Sequence, residues 1–153
     1  LGSRHLLFEA GNTQLICRRL EGEFLDYRAA IPRSNPIIIT ASAKALMNSI
    51  DRVSVVISEK QKSPVQCVIG TGKVSMSAKT VTGEASDVCA IDGDGGGLTI
   101  GFNNRYLMEA LKYAPADEVR LELNTVISPC GILPTEGEER FLYMVLPVRL
   151  KNN

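Results

Sequence analysis

The chain has 153 residues, 44% of them hydrophobic, so it is long enough to bury one ordinary globular core. Its 17 lysine and arginine residues balance its 17 aspartate and glutamate residues. This balance excludes a net field that would draw the whole chain to nucleic acid or to a membrane. No apolar run approaches the roughly 20 residues that span a bilayer. No charged-then-apolar leader precedes Leu1, so a cytoplasmic protein is predicted.

The first predicted elements are the two strands of a hairpin over residues 5–20, which meet at a Gly11-Asn12 turn suited to a two-residue loop. An isolated hairpin is marginally stable, because it has no sheet to join and no layer to pack on. We therefore expect this chain to begin inside a preceding domain.

A connector follows the hairpin. Pro32 and Pro36 cannot continue a regular element, because proline lacks a backbone N–H and restricts the residue before it. The predicted division assigns residues 1–33 to the end of a preceding domain and residues 34–153 to a second domain.

From Ile37 onward the sequence repeats itself. Ile39 aligns with Ile100 and Ile50 with Leu111, and each partner lies 61 residues further on. In each copy an apolar run leads into an amphipathic helix. The residues expected on the core faces are Ala43, Leu46, Met47, Ile50 and Val53 in the first helix, and Tyr106, Leu107, Ala110 and Leu111 in the second.

Three strand candidates follow each predicted helix. They cover residues 65–69, 74–80 and 87–91 after the first helix, and residues 119–123, 126–132 and 141–148 after the second. The repeated order of strand, helix and three strands predicts an α+β domain. In this domain two helices pack on one face of an antiparallel sheet.

Two glycine-rich stretches separate these candidates. Residues 70–73 lack the full pattern of a phosphate-binding loop, so a hairpin turn is predicted there. Residues 92–97 combine aspartate with glycine, but no glutamate closes a calcium loop, so a flexible connector without metal is predicted. His5 is the only histidine and no nucleophile elbow is present. Neither catalysis nor a cofactor is therefore predicted.

The last predicted strand is apolar on both of its faces. One face carries Phe141, Tyr143 and Val145, and the other carries Leu142, Met144 and Leu146. Both faces need cover, which the helices of the domain supply on one side and a partner could supply on the other. Pro147 has no N–H to donate, so strand pairing is expected to end near it.

Each predicted helix also carries a polar stripe opposite its core face. The stripes are Lys44, Asn48 and Arg52 in the first helix, and Arg105, Glu109 and Lys112 in the second. A solvated face with pairs inside each helix is one interpretation. The other interpretation is a surface that meets phosphates.

Three motifs together resemble the bacterial β sliding clamp family, the processivity rings of replicative DNA polymerases. They are the linker Gly22-x-Phe24-x-Asp26-Tyr27-Arg28, the stretch Gly101-Phe102-Asn103 with Tyr106 after it, and the terminal Leu146-Pro147-Val148-Arg149-Leu150. The resemblance covers nearly the whole chain, as a short tail of the second clamp domain followed by the third. It implies the DNA-clamp fold and a non-catalytic homodimeric ring around duplex DNA.

The resemblance also implies a cleft between the second and third domains. Short linear peptides of replicative and translesion polymerases, the clamp loader and mismatch-repair proteins would dock there. The matching positions are Asn103, Tyr106, Ile127, Pro129, Met144, Val145, Leu146, Pro147, Val148, Arg149 and Leu150.

Two further surfaces follow from the same resemblance. The paired helices would present Lys44, Arg52, Arg105 and Lys112 to DNA phosphates, without reading bases. Val55 and Val56 match positions that pack across the ring interface, against the first domain of another subunit.

Three positions depart from the family pattern. Leu25 stands where the family usually has proline, Gln61 stands where an aromatic residue often borders the cleft, and Lys151-Asn152-Asn153 extends past the usual last residue. The first departure would alter the geometry of the linker. The other two would alter partner preference.

Two other functions remain open. One is a peptide-binding adaptor that shares the groove but forms no ring, and the other is an enzyme with a reactive thiol at Cys67 or Cys130. Cys17, Cys67, Cys89 and Cys130 lie far apart without a C-x-x-C pair. This spacing disfavours a zinc site and predicts buried thiols in a reducing cytosol.

Overall fold

The computed structural model describes residues 4–32, 34–58, 63–136 and 141–150 of the chain. It divides into two compact units, Leu1–Ala30 and Ile31–Asn153. Of the helices it describes, the longest has 12 residues, and none reaches the length and apolarity that crossing a membrane requires. Gln61 and residues 151–153, two of the three departures from the family pattern, lie outside the described residues.

The first unit contains the predicted hairpin. Strands β1 (His5–Ala10) and β2 (Thr13–Arg18) pair antiparallel, and Gly11-Asn12 forms the two-residue loop between Ala10 and Thr13. The hairpin prediction is confirmed. A single helical turn, α1 (Tyr27–Ala30), follows, and the Asp26 carboxylate accepts from the backbone N–H groups of Arg28 and Ala29 at its start.

The second unit carries the internal repeat. Strand β3 (Ile37–Ser42) leads into α2 (Ala43–Ser54), and the end of a later strand leads into α3 (Asn104–Lys112). The side chains of Ser42 and Asn103 cap the two helices, each in an extended backbone conformation. These caps are separated by the same 61 residues as the sequence repeat, so the repeat is confirmed.

The other strands of the second unit are β4 (Val65–Thr80), β5 (Gly83–Phe102), β6 (Glu118–Leu123), β7 (Cys130–Pro134), β8 (Tyr143–Val145) and β9 (Pro147–Val148). They form an antiparallel sheet with strand order β4-β5-β3-β6-β7-β8, and β9 pairs with β5. The helix α2 packs on β3, β4 and β5 and against α3. The predicted α+β class is confirmed.

The two glycine-rich stretches are not the turn and the connector that the sequence predicted. Both lie inside long strands, and they pair with each other through Thr71 and Asp94. The ladder shifts register between Ile69 and Lys73, and the extra residues of β5 are taken up by Gly93, Gly96 and Gly97 at positive φ. Because β5 bulges where it faces residues 69–73 of β4, the two strands bend there and continue.

The end of the chain also differs from the prediction. Residues 141–148 do not form one strand: β8 pairs with β7, and after Leu146 the chain moves to β5. Pro147 changes the pairing partner instead of ending the pairing, because its carbonyl can still join a ladder although it has no N–H. The strand predicted for residues 126–132 begins only at Cys130, because the Ser128 N–H donates to the Thr125 carbonyl and closes a turn.

The core fills the space between the helices and the sheet. The fully buried side chains include Ile50 and Val53 of α2, Leu111 of α3, and Val119 and Ile132 of the sheet. One expected core position was wrong: Tyr106 is 63% exposed beside the core face of α3. A tyrosine carries a polar hydroxyl and is stable at such an edge. Met47 is partly buried and packs against the core, and Ser49 is fully buried beside it.

Candidate partner groove and charged helix face

A groove opens where three parts of the second unit meet. They are the end of β5, the loop between β6 and β7, and residues 148–150, which we call the terminal segment. Its volume is about 370 Å³. The lining residues are Thr99, Ile100, Gly101, Val126, Ile127, Val148, Arg149 and Leu150.

The walls of the groove are mainly apolar. Ile127 is 69% exposed and Val126 is 52% exposed on the loop wall, while Val148 and Leu150 form the opposite wall. Exposed aliphatic side chains that face one another across a groove gain free energy when an apolar side chain covers them. Arg149 supplies a cation at the rim for a carbonyl or a carboxylate.

The loop wall is held by its own hydrogen bonds. The hydroxyl groups of Thr125 and Ser128 lie 2.7 Å apart, and the Ile127 N–H donates to the Thr125 hydroxyl at 3.4 Å. Such bonds replace the strand ladder in a turn and present the side chains between them outward. Val126 and Ile127 are therefore placed on the groove before any partner arrives.

The groove contains only some of the residues that the resemblance assigned to the peptide cleft. Ile127, Val148, Arg149 and Leu150 line it, and Leu146 is exposed just before β9. Pro129 and Pro147 are half-buried beside it, and Met144 is partly exposed on β8. Val145 is a correction: it is only 4% exposed, since its side chain packs into the core, so it cannot touch a partner.

Asn103 and Tyr106 lie in a different depression, at the start of α3. Its remaining lining residues are Ile57, Ser58, Asn104, Arg105 and Glu109. The side-chain carbonyl of Asn103 accepts from the Arg105 backbone N–H at 3.0 Å, so this oxygen caps the helix.

Sequence reasoning missed four of the groove residues. Thr99, Ile100 and Gly101 lie on β5, and Val126 lies on the loop. Val126 was placed inside a predicted strand, which hid the turn. Gly101 was visible in the motif Gly101-Phe102-Asn103, but no pattern in the sequence indicates which segment packs on a glycine.

The two helices run antiparallel, and this direction decides where their cations lie. The Asn104 amide donates to the Ser54 hydroxyl at 3.1 Å, so the start of α3 meets the end of α2. The Ala43 N–H donates to the Asp117 carbonyl, so the start of α2 meets the chain just after α3. Lys44 and Lys112 are therefore at one end of the helix pair, and Arg52 and Arg105 are at the other.

Arg52 differs from the other three cations. Its Nη2 and Nε atoms lie 2.6 Å and 3.1 Å from one carboxylate oxygen of Asp87 on β5. A guanidinium held in this way ties α2 to the sheet and carries less free charge toward phosphate. The geometry gives Arg52 a structural role, and its contact with DNA stays a prediction.

The Arg52–Asp87 pair is expected to make stability depend on pH. The neighbouring Ser49 hydroxyl and the Arg52 guanidinium lower the pKa of Asp87 below its ordinary value of 3.8. Its contribution is therefore present above pH 3.8 and is lost as the pH falls through the lowered pKa. Asp87→Asn should cost about 0.5–1 kcal/mol of unfolding free energy at pH 7.

Urea unfolding of both proteins between pH 7 and pH 2 checks this expectation. The difference in unfolding free energy between the unmodified chain and Asp87→Asn should disappear at the acidic end. There the Asp87 carboxyl is protonated and, like asparagine, carries no charge. A gap of the same size at every pH would contradict the role assigned to this carboxylate.

Val55 and Val56 lie at the end of α2. Val55 is 83% exposed, and the Val56 carbonyl accepts from the Thr82 hydroxyl at 3.5 Å. An apolar side chain as exposed as Val55 gains free energy from any surface that covers it.

The buried thiols argue against the enzyme hypothesis. Burial raises the pKa of Cys67 to about 12, and it also raises the pKa of Cys130. The thiolate is the reactive form, so both groups are inert at neutral pH in the folded protein. Among the described residues, no group of three or more histidine, cysteine, aspartate and glutamate side chains could hold a metal ion.

Thiol labelling checks this conclusion. In the folded chain at pH 7.5, the half-exposed Cys17 should react first, while Cys67 and Cys130 should react only after denaturant is added. A Cys17→Ser variant provides the control, and it should show almost no fast labelling. Rapid modification of Cys67 or Cys130 in that variant would revive the enzyme hypothesis.

The duplicated unit, with two helices on one face of an antiparallel sheet, defines the DNA-clamp fold. A family model described as the C-terminal domain of the DNA polymerase III beta subunit matches residues 28–149. The chain belongs to this family, that of the bacterial sliding clamps, which are replication processivity factors.

Individual relatives agree with this assignment. The beta sliding clamp of Synechocystis sp. is 34% identical over 151 residues, which are 96% of this chain and 38% of that protein. The DNA polymerase III beta subunit of Thermotoga maritima superposes with a TM-score of 0.84 at 28% identity, covering 99% of this chain and 41% of that one.

The sliding clamp of Bartonella birtlesii, solved bound to griselimycin, has a TM-score of 0.86 at 26% identity. The match covers 98% of this chain and 40% of that one. The chain thus spans about two fifths of the length of these relatives.

Proposed function

We propose that this chain is the partner-docking third domain of a non-catalytic sliding clamp. Residues 34–153 form this domain, and residues 1–33 are the end of the preceding clamp domain. The whole protein encircles duplex DNA as a homodimeric ring in the bacterial cytoplasm, at the nucleoid. The observation that carries the docking role is the apolar groove between the β6–β7 loop and the terminal segment.

The chemistry of the groove favours an extended peptide with large aliphatic or aromatic side chains. Ile127 and Leu150 line the groove with apolar side chains, and Arg149 offers hydrogen-bond donors beside them. The related Bartonella birtlesii clamp was solved with griselimycin bound. The partners proposed for this chain are replicative and translesion polymerases, the clamp loader and mismatch-repair proteins, each through a short linear motif.

The helix pair supports the proposed contact with DNA. Lys44, Arg105 and Lys112 are exposed on α2 and α3, and Arg105 lies one helical turn from Glu109. Cations without base-reading partners hold phosphates irrespective of sequence, which suits a ring that slides. Val55 and Val56 are proposed to close the ring against another subunit, through a heterologous interface.

A peptide titration tests the docking role. A fluorescent Gln-Leu-Ser-Leu-Phe peptide is followed by anisotropy, with this chain and with a full-length clamp that carries it. Ile127→Ser should weaken binding about tenfold, because it removes an apolar wall of the groove.

Ile38→Ser is the matched control. Ile38 is 51% exposed on β3, and it does not line the groove. This variant should bind like the unmodified chain. Equal losses in both variants, or no binding by the full-length clamp, would contradict docking in this groove.

A further inference from the structure

The terminal wall of the groove is weakly held by backbone pairing. Strand β9 has two residues, which pair as Pro147 with Phe102 and Val148 with Gly101. Proline donates no hydrogen bond, so this short ladder lacks one of its donors. The place of Leu150 must therefore depend on how the segment packs on β5.

Gly101 is the point on which it packs. A Cβ atom built on Gly101 would lie 2.7 Å from Leu150 Cδ2, 3.1 Å from Leu150 Cγ and 2.8 Å from the Val148 carbonyl oxygen. The distances to Leu150 Cδ2 and to the Val148 carbonyl oxygen are shorter than non-bonded atoms tolerate, and the distance to Leu150 Cγ is tight. Gly101 does not have a positive φ, so its backbone does not require glycine. Glycine is required at position 101 because the terminal segment approaches β5 so closely there.

We propose that Gly101 is a positioning residue that sets the width of the groove, because its missing side chain lets Leu150 lie directly on β5. This inference rests on the proposed docking function. Gly101 and Leu150 both line the groove, so any side chain at position 101 moves the apolar wall that faces Ile127. Docking of an apolar peptide side chain then loses its fit.

Gly70→Ala is the matched control for Gly101→Ala. Gly70 lies in the neighbouring strand β4, and its new Cβ would be no closer than 3.9 Å to any atom, at the Lys73 carbonyl. The two variants thus add the same methyl group to adjacent strands. Only one of them adds it under the terminal segment.

Peptide affinity and backbone hydrogen exchange together form the test, with the Gln-Leu-Ser-Leu-Phe peptide as probe. Gly101→Ala should weaken peptide binding about tenfold, and Gly70→Ala should change it by less than about twofold. Without peptide, the amides of residues 148–150 should exchange faster in Gly101→Ala alone. Unchanged affinity with unchanged exchange would overturn the inference.

A double-mutant cycle with Leu150→Ala separates positioning from a general loss of stability. Leu150→Ala removes the carbon atoms at 2.7 Å and 3.1 Å from the new methyl group, while the Val148 carbonyl oxygen at 2.8 Å remains. The added effect of Gly101→Ala should therefore be smaller in that background, although not absent. The double variant also serves if Gly101→Ala alone does not fold. An equally large effect in both backgrounds would overturn the role of Leu150.

Failure of the docking proposal gives a different result. In that case the unmodified chain and the full-length clamp would both fail to bind the peptide. The exchange data would still report whether Gly101 fixes the terminal segment.

Discussion

Gly95→Ala should lower the free energy of unfolding by about 3 kcal/mol, the largest loss we expect from adding a single methyl group. Gly95 is buried in the bulge of β5, and its new Cβ would lie 2.2 Å from Ile69 Cγ2 and 2.6 Å from the Ile69 carbonyl oxygen. The carbonyl belongs to the paired strand β4, so relief requires both strands to separate at the bulge.

Urea unfolding measures this loss, and Gly70→Ala again serves as the control. Gly70 is in the same bulged region of β4, but its added methyl group meets only an ordinary contact at 3.9 Å. The control should be within about 0.5 kcal/mol of the unmodified chain. If residues 92–97 formed a flexible connector, Gly95→Ala would be as harmless as the control.

Replacing Lys44 and Lys112 together by alanine should weaken DNA binding of the full-length clamp by roughly 10- to 100-fold near 0.1 M salt. Both lysines are exposed at the same end of the helix pair. Each phosphate contact that is lost should also reduce the slope of log affinity against log salt by about 0.9. Fluorescence binding to a labelled duplex at several salt concentrations measures both quantities.

Two control variants make this result specific. Lys73→Ala with Lys79→Ala removes the same charge from exposed positions on β4, and it should leave the slope unchanged. Arg52→Ala should lower stability by up to about 1 kcal/mol without changing the slope, because its guanidinium is bound to Asp87. The helix variant and the sheet variant each lack two lysines. If both changed the slope of log affinity against log salt equally, DNA contact through the helices would be contradicted.

The helices and the duplication could be predicted from sequence because both are local patterns. The period of apolar residues places Leu46, Ile50 and Val53 on one face, and the caps Ser42 and Asn103 occupy matching positions of the two copies. The alternation of Val119, Leu121 and Leu123 likewise fixes the buried face of β6. These signals need no knowledge of which strands pair.

Pairing between distant strands could not be predicted in this way. Residues 70–73 contain two glycines and look like a turn until residues 92–97 are placed beside them, since a bulge depends on both strands. The change of pairing strand after Leu146, from β7 to β5, could not be predicted for the same reason. Proline indicates where a ladder loses a donor, but not which strand edge lies within reach.

Some residues of the groove could also be predicted from the sequence, and others could not. The resemblance of the terminal motif to the clamp family indicated Val148, Arg149 and Leu150, and all three line the groove. Val145 was included wrongly, since its place in the motif did not reveal which face of β8 it occupies. The ion pair of Arg52 with Asp87 could not be predicted, because Asp87 lies 35 residues away in sequence and only the fold brings the two together.

Retention on circular DNA tests the central claim most directly. The full-length protein that carries this chain is assembled on nicked circular DNA, and bound protein is separated from free protein by gel filtration at moderate salt. The clamp account predicts that protein stays on the circle and is released when a single restriction cut makes the DNA linear. Equal release from circular and linear DNA would contradict it and would favour a peptide-binding adaptor that forms no ring.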